Sequence, residues 1–390
     1  MKSFKANTIC VVSILLLFLL VMVGMARHRM RQGKAEDHRF EKTDGIVWYD
    51  ACLFAVEGQG WPEFELEDSF DRLPLKAKGV VRNPVWNLGK FSAGLCVRFR
   101  TDTSAIHARW ILSQPQLQKP HMPATGVSGL DLYVKDDQEE WKWLATGMPE
   151  ALENQVELIR ELPVQMREYC LYLPLYNGVK EVYLGISKEA RCESSPRSEG
   201  QSQAILFYGS SITQGASASR CGMTYPAILG RRLNRPVLNL GFSGNGKMEE
   251  DVVELLAELD PVIYVIDCLP NMKEDEVTRH VKPLVMRLRQ ARPRTPIVLA
   301  EDRAYGYAFL VSSARQRNET NRAALRKVFD ELVNEGIPEL YYLPGETQLG
   351  EDNLATVDGS HPTDLGFMRM ADAFEKVLAP ILKTLEESQT

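Results

Sequence analysis

The sequence predicts two folded units of different class: an all-β sandwich or jelly roll, followed by an α/β unit built on a parallel sheet with helices on both faces. Three observations carry this. Apolar residues recur with period two between Trp48 and about Ser187; after the polar stretch 191–203, short apolar runs alternate with helical stretches; and 390 residues suffice for two cores. The expected divisions are 1–45, a membrane anchor or signal segment with its connection; 46–190, the sandwich; 191–203, a linker; and 204–390, the α/β unit.

Ile9 to Met25 contains no charged residue. A span needs about 20 apolar residues, so this run reads either as a short anchor or as the apolar part of a secretory signal. Gly24-Met25-Ala26 puts small residues where a signal peptidase inspects them, yet Arg27, Arg29 and Arg31 follow at once and outweigh Lys2 and Lys5 on the other flank. Charge alone therefore does not favour export of the body. A net charge of -6, with 25% charged and 44% hydrophobic residues, describes an ordinary folded protein and gives no reason to expect a nucleic-acid partner.

In the first unit, Leu95, Val97 and Phe99 alternate with Cys96 and Arg98, and Ile106, Ala108 and Trp110 alternate with His107 and Arg109. These are half-buried strands, continued by Leu130–Val134, Tyr169–Leu173 and Val182–Ile186 between Pro- and Gly-containing turns. All six tryptophans (Trp48, Trp61, Trp86, Trp110, Trp141, Trp143) fall in this half. They read either as a platform for sugar rings or as core anchors, and the core reading is preferred. Of the seven cysteines, Cys10 lies in the apolar segment; Cys52, Cys96, Cys170, Cys192, Cys221 and Cys268 form no C-x-x-C pair, so no zinc site is expected and free thiols are favoured over disulfides.

In the second unit the apolar runs are Ile205–Tyr208, Val237–Leu240, Val262–Ile266, Ile297–Ala300 and Leu340–Leu343, with helical stretches such as Glu249–Leu259, Glu274–Ala291 and Asn321–Asn334 between them. Ligands of such sheets bind outside the carboxyl ends of the strands, where Ser211, Gly241, Asp267 and Glu301 fall.

Gly209-Ser210-Ser211-Ile212 puts a serine where a buried strand gives way to a helix, a place that suits either a nucleophile or a plain N-cap. A serine nucleophile needs a base, and the base an orienting carboxylate; Asp358-Gly359-Ser360-His361 supplies both, just before a helix starting near Thr363. His28, His38, His107, His121 and His280 have no such setting and read as solvated or structural. Acyl transfer also needs oxyanion donors. Gly241-Phe242-Ser243-Gly244-Asn245-Gly246 reads as a loop offering backbone N–H groups or as a tight turn, and Asn271, after Pro270, as a side-chain donor or a helix cap.

Taken in chain order, Gly209-Ser210-Ser211-Ile212, Gly244 in its glycine-rich loop, Asn271 and Asp358-x-x-His361 resemble the SGNH, or GDSL-type, hydrolase family. The resemblance runs from about residue 204 to the C-terminus and implies a flavodoxin-like three-layer α/β/α sandwich that cleaves esters or acyl groups with no cofactor or metal. It implies that Ser211 is the nucleophile and, through its N–H, the first oxyanion donor; that Gly244 and Asn271 complete the hole; and that His361 is the base oriented by Asp358. Ser210 departs from the acidic residue usual before the nucleophile, and Leu269 and Met272 flank Asn271 where the family often has Gly and Asp; no catalytic group is lost. An α/β-hydrolase is the nearest alternative, but Gly-x-Ser-x-Gly is absent around Ser211.

The β half resembles the GxDLY domain that precedes some of these hydrolases, through Gly129-Leu130-Asp131-Leu132-Tyr133, with Arg72-Leu73-Pro74, Val85-Trp86 and Ala93-Gly94-Leu95 in support. Asp131 and Tyr133 share a strand face and read as structural. The two-part resemblance implies an exported esterase, membrane-anchored if the first segment is retained and secreted if it is cleaved. The expected function is hydrolysis of a short acyl ester, such as acetyl, on a carbohydrate or other small polar molecule. An O-acyltransferase using the same acyl-enzyme is the alternative, and a non-catalytic glycan-binding protein is disfavoured by the presence of all three triad residues. Oligomeric state is left open.

Overall fold

Eleven strands grow from the period-two pattern of the first half: β1 (Arg39–Thr43), β2 (Ile46–Asp50), β3 (Ala55–Glu57), β4 (Cys96–Thr101), β5 (Ile106–Leu112), β6 (Leu130–Lys135), β7 (Trp141–Gly147), β8 (Glu153–Ile159), β9 (Arg167–Tyr172), β10 (Val179–Ser187) and β11 (Cys192–Ser194). The computed structural model describes residues 39–43 and 45–388, so the Ile9–Met25 run lies outside it. Among the described residues no helix is long and apolar enough to cross a membrane.

One antiparallel sheet has the order β1-β2-β10-β5-β8 and the other β11-β4-β9-β6-β7. The free edge of β4 is shared end to end: β3 pairs with Cys96–Arg98 and β11 with Phe99–Thr101. Part of the stretch read as a linker is thus the last strand of this sheet. Leu95, Val97, Phe99, Ile106, Ala108 and Trp110 are fully buried in the core between the sheets, as the alternation requires.

The β4 sheet departs from the half-buried expectation. Cys96 and Arg98 on its other face are buried as well. Cys96, Tyr133, Cys170 and Tyr172 pack into one cluster with Ile212, Cys221 and Ile228 of the second unit, so this sheet has a core on both sides. Arg98 tolerates burial by pairing with Glu57 (2.8 Å) and Glu168. The six cysteines among the described residues are free.

The second unit is a five-stranded parallel sheet of β12 (Ile205–Gly209), β13 (Val237–Gly241), β14 (Ile263–Asp267), β15 (Ile297–Ala300) and β16 (Leu340–Leu343), in the order β13-β12-β14-β15-β16. Helices α1 (Asn83–Gly89) and α2 (Ala124–Val127) belong to the first half; α3 (Ser211–Gln214), α4 (Tyr225–Arg232), α5 (Glu250–Glu258), α6 (Glu274–Ala291), α7 (Ser312–Asn334) and α8 (Asp364–Glu387) to the second. Strand β12 is apolar throughout because both faces are covered: Leu206 and Tyr208 belong to one core with Leu256, Val281 and Leu325, while Ile205 and Phe207 belong to the core on the opposite face with Ile228 and Phe374. This is a three-layer α/β sandwich. Its strand order reverses between β12 and β14, which opens a crevice at their carboxyl ends.

Three ties fix the β half on the α/β unit. Arg72 is fully buried and donates to the carbonyls of Leu88, Phe91, Asn239 and Gly241, gripping the end of β13 (2.6–2.9 Å). Trp61 and Trp86 pack into the α/β core instead of the sandwich core, and Trp61 Nε1 donates to Glu258 (2.9 Å). The Gly-x-Asp-Leu-Tyr segment forms the third. Asp131, with no exposed surface, accepts from Gly222 N (2.8 Å), Arg220 Nη1 (2.9 Å) and Trp143 Nε1 (3.0 Å), and Arg220 also reaches the Tyr133 hydroxyl. Trp143 is 51% exposed and stacked against Arg220, so the six tryptophans do not share one role.

Candidate active site

The two readings of Gly209-Ser210-Ser211-Ile212 are met by different serines. Ser210 is the N-cap of α3, its hydroxyl accepting from Ile212 N at 3.2 Å. Ser211 is the first helical residue, 7% exposed, and its hydroxyl is 3.0 Å from His361 Nε2. Gly209 is required at the turn: a Cβ there would lie 2.7 Å from Asp267 O and collide with the Thr213 side chain.

The base comes from the loop before α8. Asp358 Oδ1 accepts from Ser360 N (3.0 Å) and His361 N (2.8 Å), folding the loop on its own side chain, and Oδ2 lies 2.7 Å from His361 Nδ1. Partial burial pulls this carboxyl up, but the His361 ring and the two N–H groups outweigh it and hold it at about 2. An ionised carboxylate only accepts, so the proton of the His361–Asp358 bond sits on Nδ1 and leaves Nε2 to accept from Ser211. Gly359 has φ +88° with the Tyr307 ring against it, which glycine alone tolerates without strain. Thr363 caps α8 through Gly366 N (3.4 Å), ending the loop where the sequence places the helix start.

The loops after β13 and β14 meet at the same point. Gly246 lies against the carbonyl of Gly209 and the N–H of Ser210, and its own N–H donates to Asn271 Oδ1 at 3.1 Å. That bond fixes the Asn271 amide with its NH2 group available as a donor. Asn271 is not the cap of α6, a place taken by Lys273 with Glu276. Gly244 has φ +70° and open space where a side chain would stand, and no described residue accepts from its N–H. The structure therefore joins Ser211, His361 and Asp358 by hydrogen bonds and sets Asn271, through Gly246, against the Gly209–Ser210 turn, with Gly244 two residues before Gly246 on the same loop.

Asp267 and Glu301, also at strand ends, turn away from it. Asp267 is fully buried and accepts from Thr213 Oγ1 (3.2 Å), Tyr225 OH (3.0 Å) and Arg303 Nη2 (2.6 Å); Glu301 accepts from Tyr342 OH (2.5 Å) and Gly345 N (2.8 Å). Their part is to hold the floor of the sheet. Among the described residues no three His, Cys, Asp or Glu side chains converge as metal ligands would.

Two residues of the β half reach the site without any signal in the sequence. Tyr176, its phenol pushed up by burial and so protonated, donates to Ser211 O at 3.3 Å. His121, read as solvated or structural, is half-exposed, and its ring centroid lies 5.5 Å from that of His361. Partial burial and the neighbouring His361 lower its pKa, which keeps it uncharged at neutral pH. Neither contact is local, so no spacing along the chain announces it.

Comparison with known proteins places both halves of the chain in known families. Residues 202–379 match the GDSL-like lipase/acylhydrolase family and residues 46–192 the N-terminal domain of SGNH-hydrolase-type esterases. A protein from Bacteroides ovatus ATCC 8483 described as a GDSL-like lipase is 34% identical, with 87% of this chain and 98% of that one aligned and a TM-score of 0.81. The salicylyl-acyltransferase SsfX3 of a tetracycline biosynthetic pathway shares the fold at 17% identity over 87% of this chain and 92% of its own (TM-score 0.63). A family two carbohydrate esterase from Clostridium thermocellum, in complex with cellohexaose, shares it at 15% identity over 75% and 93% (TM-score 0.54). No curated protein matches the chain. The chain belongs to the GDSL-like lipase/acylhydrolase family, and is an SGNH-type esterase with a GxDLY domain at its N-terminal side.

Proposed function

We propose that the protein is a serine esterase that removes a short acyl group, acetyl being the simplest, from a carbohydrate or similar polar alcohol through an acyl-enzyme on Ser211. The observation that carries this is the continuous relay Ser211–His361–Asp358, with separations of 3.0 and 2.7 Å. In this reading His361 Nε2 takes the Ser211 proton as Oγ attacks the ester carbonyl, Asp358 stabilises the imidazolium, and the N–H groups of Ser211 and Gly244 with the Asn271 amide bind the oxyanion. His361 then protonates the leaving alcohol, and water repeats the sequence to release the acid. No step calls for a metal or cofactor. That a carbohydrate esterase and an acyltransferase share this architecture supports a polar alcohol as one partner of the ester and leaves water and a second hydroxyl as competing acceptors.

Ser211→Ala is expected to lower hydrolysis of 4-nitrophenyl acetate by at least about four orders of magnitude; near-native turnover would refute the assignment. Asn271→Ala is expected to cost about 2.7–4 kcal/mol of transition-state stabilisation, read as a fall in kcat. Product analysis with and without a polyol separates the two fates of the acyl group: free acid in both supports a hydrolase, an acylated polyol a transferase. We also propose that the body is exported, held at a membrane or released according to the fate of Ile9–Met25, whose uncharged apolar character supports the reading. Protease accessibility of the folded body in intact cells tests this.

A further inference from the structure

The β half does more than brace the catalytic unit. Lys119–Met122 form a tight turn closed by reciprocal backbone bonds, Lys119 N to Met122 O (3.1 Å) and Met122 N to Lys119 O (3.0 Å). Met122 is buried and anchors the turn, whereas Lys119 and His121 are half-exposed. The His121 ring stands beside His361, and Lys119 Nζ lies 5.5 Å from the centre of the Tyr176 ring, whose hydroxyl donates to Ser211 O. The turn thus lies beside the base, with Lys119 next to the tyrosine that holds the backbone of Ser211. It also lines an open surface depression of about 830 Å³ together with Gln116, Gln118 and Val357, the residue before Asp358. Among the described residues Lys119 has this ring contact and no ion pair.

Which half of the ester meets this wall follows from the chemistry. The carbonyl oxygen must point at Gly244 and Asn271, after β13 and β14, while the leaving oxygen must take its proton from His361 Nε2. A group beside the His361 ring is therefore on the alcohol side. We propose that the Lys119–Met122 turn is the alcohol subsite: His121 hydrogen-bonds a hydroxyl of the alcohol, and Lys119 pairs with an anionic substituent on it. The preferred substrate is then an acyl ester of a hydroxyl-bearing, negatively charged alcohol such as an acidic sugar. This rests on Ser211 being the nucleophile.

The test compares an O-acetylated uronic acid, the matching O-acetylated neutral sugar and 4-nitrophenyl acetate, each assayed with the full chain, Lys119→Met, His121→Ala and His121→Gln. The native protein should prefer the acidic to the neutral sugar about tenfold in kcat/KM, the worth of one charge-assisted contact, and Lys119→Met should erase that preference through KM. His121→Ala should lower the sugar-to-aryl ratio of kcat/KM about tenfold, and His121→Gln, which keeps a hydrogen-bonding group, should restore part of it. Equal use of the two sugars by the native protein, or equal losses on all three esters in the variants, overturns the subsite while Ser211-dependent hydrolysis of the aryl ester still stands. Absence of any Ser211-dependent hydrolysis overturns both.

Discussion

Asp131 and Asp358 each accept three or more hydrogen bonds from backbone and side-chain donors, yet their environments pull them in opposite directions. Asp131 has no exposed surface, and burial raises its pKa against the pull of Arg220 and Gly222 N. The Asp358 side chain is 43% exposed, and its donors hold it at about 2 despite partial desolvation. The difference is water. A buried carboxylate costs stability unless its partners stay in place, so Asp131 is suited to clamp the two units; a hydrated one is ionised without strain and is free to orient a base. The same residue type thus serves assembly in one turn and chemistry in the other.

Substitutions sharpen that contrast. Asp358→Asn should lower kcat by about four orders of magnitude, because an amide no longer fixes the Nδ1–H tautomer of His361, with little change in melting temperature. Asp131→Ala should do the reverse. It strands Arg220 beside Tyr133 and Trp143 and should cost about 3 kcal/mol in denaturant unfolding, the low end for a broken buried pair because Arg220 keeps some water, while activity per folded molecule survives. If Asp131→Ala proves catalytically dead at native stability, the division of roles fails.

The smallest effect is on pH dependence, and its sign differs between the two. Asp358 sits below its ordinary value of 3.8, so its contribution to stability is complete above about pH 4 and is lost as pH falls through about 2. Asp131 sits above 3.8, so its contribution declines as pH rises through its raised value. Melting temperatures of the native chain minus those of Asp358→Asn should therefore narrow on acidification, and those against Asp131→Asn should widen. Parallel slopes would break the comparison.

Much of this was legible in the sequence because the signals were local. Continuous apolar runs gave β12 to β16 within a residue, and Ser211, Asp358 and His361 stood in short blocks whose chemistry constrained them. The cap reading of Gly209-Ser210-Ser211-Ile212 was sound too, though it belongs to Ser210. What was not legible depends on the contact between units. Cys96 and Arg98 looked like the wet face of a strand and are dry because a second core covers them. Helix α7 begins at Ser312, not near Asn321, because its first turns are held by polar contacts: Asn318 binds Asp302 and the carbonyl of Arg303, which no apolar periodicity reveals. His121 and Tyr176 reach the triad only through the docking of the sandwich.

The central claim is that acyl groups pass through Ser211. Rapid quenching of the native chain with excess 4-nitrophenyl acetate, followed by peptide mapping, tests it directly. The account predicts one acetyl group on the peptide carrying Ser211, formed no more slowly than turnover and absent from Ser211→Ala. Turnover with no acetyl on that peptide, or with the label on another residue, would contradict it.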